Sequence, residues 1–172
     1  MTNIFLTGYR ATGKTSVAKL LATALSKEVV DADVYLEQEA GMTIAEIFVA
    51  EGEQGFRARE TAVVRELAAR ENTVIALGGG AVLLEENRQL LVGRGTTVWL
   101  TASPEVIYER MTTDPLTGQR RPNLTSTGGL QEVQDLLAQR NPLYRQVAHH
   151  RIDTEGLSPE QVAFEVIKQL SH

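Results

Sequence analysis

Apolar segments of two kinds alternate along the chain. Short segments such as NIFLT, TVIAL and TTVWLTA consist mainly of apolar and β-branched residues, as is typical of strands buried on both faces of a sheet. Longer segments such as TSVAKLLATALSK and FRARETAVVRELAAR place apolar residues three and four positions apart, which predicts helices. The alternation predicts an α/β protein with a parallel sheet and helices on both faces, in three layers.

Capping residues mark where several helices begin. Thr43 with Glu46 fits the capping-box pattern, and so does Ser158 with Gln161. Ser103 precedes a proline, as at a helix N-terminus. EVVDAD predicts a second strand ending in acids, and HRID predicts the last strand. Because ligands of parallel sheets bind beyond the carboxyl ends of the strands, the glycine and acid clusters at those ends form the candidate site.

One stretch lacks periodicity. TDPLTGQRRPNLTSTGG contains two of the five prolines and almost no apolar pattern. A long segment of this kind inside a small domain is usually either a functional lid or a disordered loop. We predict a mobile lid over about residues 112–128 and keep the disordered loop as the alternative.

Composition narrows the function classes. Hydrophobic residues make up 42% and charged residues 23% of the 172 positions, as in globular proteins. There is no cysteine, which excludes disulfides, thiolate zinc sites and cysteine nucleophiles. The net charge of −5 argues against a nucleic-acid partner. We find no linker, signal-peptide pattern or membrane span, and we expect a monomeric cytoplasmic protein with one domain over residues 1–172.

The first strand leads directly into a phosphate-loop motif. GYRATGKT fits G-x-x-x-x-G-K-[ST] and is followed by a predicted helix, the context that this motif requires. Its backbone N–H groups and the helix N-terminus would bind phosphates. Lys14 would reach the outer phosphates, and the Thr15 hydroxyl would contact Mg²⁺. Because VIAL ends without an acid, Asp31 is our candidate for the second metal residue.

Acids and arginines follow that could bind a second substrate. Asp31 and Asp33 are two residues apart, and on an extended strand both would point the same way. They could also be solvated acids at a strand end, one of them capping the next helix. Beside a phosphate loop, a carboxylate can orient an acceptor hydroxyl and take its proton. Arg57 and Arg140 are of the type that binds carboxylates in a bidentate manner, although arginines on helices are usually solvated.

Six features, in order, resemble shikimate kinase over almost the whole chain: GYRATGKT, DAD, FRARE, LGGG, RRPNL and RNPLY. The resemblance implies transfer of the γ-phosphoryl of ATP to the 3-hydroxyl of shikimate, on the route to aromatic amino acids. It also implies the nucleoside-monophosphate-kinase type of P-loop fold, with a five-stranded parallel sheet in the order 2-3-1-4-5. ATP and shikimate would be the small-molecule partners and Mg²⁺ the cofactor.

The resemblance further implies roles for single residues. Asp33 would be the base, with Lys14 and Arg121 as the other catalytic residues. The ATP residues would be Ala11, Thr12, Gly13, Lys14, Thr15, Ser16, Arg110 and Arg121. A substrate-binding region would span about residues 32–61. Shikimate would bind through Asp33, Arg57, Gly79, Gly80 and Arg140, and the two arginines would hold its carboxylate. Because Arg120 and Arg121 are adjacent, the lid arginine that contacts phosphate is ambiguous by one residue.

Three other functions remain as alternatives. A gluconokinase of the same architecture would also need a phosphate loop, an acid and arginines, but FRARE, GGG and RNPLY argue against it. A nucleotide kinase would need a second base pocket. A nucleotide-binding module without catalysis should have lost residues such as Lys14 or Asp33, and both are present.

Overall fold

The structure, a computed structural model, describes residues 2–113 and 128–172. Its strands are β1 (Asn3–Thr7), β2 (Glu28–Asp31), β3 (Thr73–Ala76), β4 (Gly95–Thr101) and β5 (His150–Asp153). Within those residues the strands form one parallel sheet in the order β2-β3-β1-β4-β5. The predicted α/β fold and the order 2-3-1-4-5 are therefore confirmed.

Helices connect the strands. They are α1 (Lys14–Leu25), α2 (Ala32–Ala40), α3 (Ile44–Ala68), α4 (Glu85–Leu91), α5 (Pro104–Thr113), α6 (Gly129–Val147) and α7 (Pro159–Leu170). Both predicted capping boxes are present, at the starts of α3 and α7. Ser103 Oγ accepts a hydrogen bond from Val106 N at 3.3 Å, as predicted for the start of α5. These local bonds satisfy N–H groups that the helix itself leaves without acceptors.

Helices cover both faces of the sheet. On the central strand, Ile4 and Leu6 pack with residues of α1 and α7, whereas Phe5 packs on the other face with α2, α3 and α4. A smaller apolar cluster around Tyr9 joins the loop after β1 to α5 and α6. The alternation of side chains along a strand thus produces the three predicted layers.

The expected geometry of the DAD cluster is wrong. Strand β2 ends at Asp31, and Asp33 lies in the first turn of α2. Asp31 Oδ1 accepts from Asp33 N at 3.0 Å and from Val34 N at 3.2 Å. The acid therefore caps the helix, as the alternative stated, and the two side chains do not share a strand face.

The predicted lid falls mainly on residues 114–127. These residues, with Arg120 and Arg121, lie outside the described residues. The lid and the role of its arginine therefore stay predictions.

Candidate active site

The loop after β1 has the backbone that phosphate binding requires. Gly8 has φ 143°, and a Cβ there would collide with Leu100 O, so only glycine fits. Gly13 also has positive φ and immediately precedes α1. Lys14 Nζ donates to the carbonyl oxygens of Gly8 at 2.6 Å and Tyr9 at 2.9 Å. The lysine thus folds back over its own loop, at the helix N-terminus where an anion would bind.

Thr15 and Asp31, the predicted metal residues, are in contact. Thr15 Oγ1 donates to Asp31 Oδ2 at 2.6 Å. A hydroxyl and a carboxylate are the hard oxygen donors that suit Mg²⁺, which in kinase sites usually takes few protein ligands and completes its shell with phosphates and water. The hydroxyl of Thr15 and the carboxylate of Asp31 therefore fit Mg²⁺ by their chemistry. Among the described residues there is no group of three or more His, Cys, Asp or Glu side chains that could hold a metal.

The glycine turn after β3 brings the predicted acceptor residues together. A Cβ on Gly78 would lie 2.7 Å from Asp33 Oδ1, and one on Gly80 would lie 2.5 Å from both terminal nitrogens of Arg57. A Cβ on Gly79 would lie 3.6 Å from Arg140 Nη1. Three side chains from α2, α3 and α6 thus meet at one turn, and the absence of side chains on the turn makes room for them.

This turn also faces the phosphate loop. A Cβ on Gly79 would also lie 3.4 Å from both Gly8 O and Arg10 N. On the other side, Tyr144 Oη donates to Gly79 O at 2.6 Å from the buried face of α6. The tyrosine therefore holds the turn in place. An acceptor bound here would lie beside the phosphates.

Glu60 is a site residue that the sequence analysis did not assign. Its Oε1 accepts from Arg57 Nη1 at 2.7 Å, and both side chains are largely buried. Burial raises the pKa of the Glu60 carboxyl, while Arg57 and, more weakly, Arg140 act in the opposite direction. The spacing of three residues on one helix face was the signal that could have identified this pair.

The other end of the loop contacts α5. Arg110 Nη1 donates to Ala11 O at 3.1 Å and to Thr154 Oγ1 at 3.0 Å. Thr12 is buried and donates to Tyr9 O at 2.7 Å, whereas Ser16 is exposed in the first turn of α1. The structure thus places Arg110, which the resemblance assigns to ATP, between the phosphate loop and the turn at Thr154.

A buried ion pair was also missed by the sequence analysis. Arg10 Nη2 lies 3.1 Å from Glu132 Oε2, with side chains only 7% and 1% exposed. The pair joins the phosphate loop to the first turn of α6. Because 122 residues separate the partners, no local pattern could have shown it.

No helix among the described residues is long and apolar enough to cross a membrane.

The chain matches a family profile and is similar to known proteins and solved structures. The profile described as shikimate kinase matches residues 10–171. A shikimate kinase of Rhodopirellula baltica is 46% identical over 166 residues, covering 96% of this chain and 89% of that protein. A solved structure described as shikimate kinase from Acinetobacter baumannii in complex with shikimate has a TM-score of 0.93 at 39% identity, covering 99% of this chain and 93% of that one.

A third protein concerns the rival function. A gluconokinase structure from Sinorhizobium meliloti has a TM-score of 0.63 at 20% identity, covering 99% of this chain and 91% of that one. At this identity the likeness shows the shared fold alone.

Proposed function

This chain belongs to the shikimate kinase family, and on that premise we propose that it transfers the γ-phosphoryl of ATP to the 3-hydroxyl of shikimate, giving shikimate 3-phosphate and ADP. One observation carries the proposal. The glycine turn at residues 78–80 gathers Asp33, Arg57 and Arg140 directly beside the phosphate loop. An acid for a hydroxyl and two guanidinium groups for a carboxylate match a hydroxylated carboxylic acid.

The two arginines would bind the acceptor's carboxylate. Arg140 is buried, and Arg57 is oriented by Glu60 at 2.7 Å. Guanidinium groups bind a carboxylate through two parallel hydrogen bonds. Backbone N–H groups of Gly79 and Gly80 would contact the same molecule, because no side chain separates them from it. Binding at this end would direct the ring hydroxyls toward Asp33.

Asp33 would serve as the base. The acceptor oxygen forms the new bond to the γ-phosphorus as the bond to the bridging oxygen of ADP breaks, and the hydroxyl proton passes to the carboxylate. Lys14, which now donates to the carbonyls of Gly8 and Tyr9, would turn its ammonium toward the phosphates. The positive charge would then stabilise the charge on the transferred group.

Thr15 and Asp31 would hold Mg²⁺, Asp31 through water. When bound, the ion neutralises charge on the β- and γ-phosphates. We also propose that Ala11, Thr12, Gly13 and Ser16 bind the phosphates, that Arg110 lies against the base, and that Arg121 contacts the phosphates from the lid. A monomeric, cytoplasmic enzyme with one kinase domain over residues 1–172, including a substrate-binding region of about residues 32–61 and a lid of about residues 112–128, completes the proposal.

The test is an assay of ADP release with ATP and Mg²⁺, with and without shikimate, with the product identified by mass spectrometry. We expect ADP release to depend on shikimate and the product to be shikimate 3-phosphate. Gluconate and a nucleoside monophosphate serve as competing acceptors. Phosphorylation of either in place of shikimate, or ATP binding without any transfer, would refute the proposal.

A further inference from the structure

Tyr9 lies where the phosphate loop meets the carboxylate site. Its side chain is 1% exposed and packs with Ile107, Val133 and Leu137. Its carbonyl oxygen accepts from Lys14 Nζ at 2.9 Å and from Thr12 Oγ1 at 2.7 Å. The residue is therefore fixed at both its backbone and its ring.

The Tyr9 ring contacts two guanidinium groups. Arg140 Cζ lies 5.6 Å and Arg10 Cζ 5.7 Å from the ring centroid. Both distances are within the range of a cation–π interaction, which is stronger where water is excluded. Arg10 is also paired with the buried Glu132 at 3.1 Å, so its charge is balanced by a carboxylate.

Arg140 is held differently from its partner in the proposed clamp. Arg57 is oriented by Glu60 at 2.7 Å. Arg140 is 4% exposed, and across residues 2–113 and 128–172 its Nε has no hydrogen-bond partner and no carboxylate forms an ion pair with it. A buried cation in this situation is costly until an anion arrives. Glu60 interacts with it electrostatically but forms no ion pair with it, and the ring of Tyr9 is a direct contact that can orient it beforehand.

We propose that Tyr9 is a positioning residue that holds the Arg140 guanidinium in the orientation required by the acceptor's carboxylate. The inference rests on the proposed function, in which Arg140 binds that carboxylate. It adds that specificity for an acidic acceptor depends on an aromatic residue inside the phosphate loop. Because the same residue contacts Lys14, one residue supports both the nucleotide site and the acceptor site.

The experiment measures shikimate binding by titration calorimetry for Tyr9→Leu and Tyr9→Phe. Leucine keeps apolar bulk but removes the π face, so we expect shikimate affinity to fall by roughly three- to thirty-fold. Phenylalanine keeps the ring and removes only a buried hydroxyl that has no hydrogen-bond partner among the described residues, so its affinity should stay within about twofold. ATP binding and the melting temperature monitor the fold, and Tyr9→Met replaces the leucine variant if that variant does not fold.

Two further measurements locate the effect at Arg140. In an Arg140→Ala background, Tyr9→Leu should cause no additional loss of shikimate affinity, because the contact between the ring and the guanidinium is already absent. The methyl ester of shikimate, which has no carboxylate charge, should lose little affinity on Tyr9→Leu. Additive losses, an equal loss for ATP, or an equal effect of Tyr9→Phe would overturn the inference. Failure of the unaltered protein to bind shikimate would instead reject the proposed function.

Discussion

Replacing Arg57 with alanine should reduce stability as well as acceptor binding, and the stability loss should depend on pH. The Arg57 side chain is 12% and that of Glu60 6% exposed, with 2.7 Å between Nη1 and Oε1. Removing one partner of a buried pair typically costs about 3–5 kcal/mol, because the remaining charge is left without compensation. For a protein of this size that corresponds to a fall in melting temperature of about 6–20 °C.

The sign of the pH dependence follows from Glu60. Burial raises the pKa of its carboxyl above the ordinary value, and the hydrogen bond and charge of Arg57 partly oppose this. A folded protein with a raised carboxyl pKa binds more protons than the unfolded chain, so this contribution to stability is present at low pH and lost as pH rises through the folded pKa. Without Arg57 that pKa should rise further, which extends the window of loss to higher pH.

The assay is thermal unfolding of the unaltered protein and Arg57→Ala at about pH 5 and about pH 8. We expect the difference in melting temperature to be larger at the higher pH. When Arg57→Ala is combined with Glu60→Gln, the difference in melting temperature from the unaltered protein should no longer grow with pH in this way, because the carboxyl responsible for that growth has been removed.

Arg59→Ala is the matched control on the same helix. The side chains of Arg59 and Glu51, which form a bidentate pair, are 40% and 33% exposed. Removing Arg59 should therefore cost less than about 1 kcal/mol of stability, with little change between the two pH values. An equal fall in melting temperature for Arg57→Ala at both pH values would refute the reasoning, since it would mean that Glu60 does not titrate between them in the folded protein. A deficit no larger than that of Arg59→Ala would refute the assigned burial.

Two other predictions concern the chemistry. Asp33→Asn should lower turnover by about a hundred-fold or more, because the proton acceptor is lost. Asp31→Asn can still cap α2 and should mainly raise the Mg²⁺ concentration required for activity, by about tenfold. Mg²⁺ titrations of the rate distinguish the two variants, and unchanged turnover in both would make the acids structural only. Arg121→Ala should lower turnover by about a hundred-fold with little change in shikimate binding by calorimetry, and Arg120→Ala is its control; the reverse pattern would assign the phosphate contact to Arg120.

The local parts of the protein were determined by the sequence alone. The phosphate loop needs glycines, a lysine and a threonine at fixed spacing, and the Thr43 and Ser158 caps bond within three residues. Such features depend on residues that are close together in the chain, so the sequence pattern is sufficient to predict them. The segments that form strands and those that form helices could be told apart for the same reason, from the spacing of their apolar residues. The order of the strands came from the resemblance of motifs, not from periodicity.

The tertiary structure decided which residues meet. Asp33, Arg57 and Arg140 lie on three different helices and meet only at the glycine turn after β3. The meeting of Arg140 with Tyr9 depends on the packing of α6 against the loop after β1. The sequence identified the chemical groups, because chemistry belongs to residue types. Their mutual distances depend on contacts between residues far apart in the chain, which form only when the helices pack on the sheet.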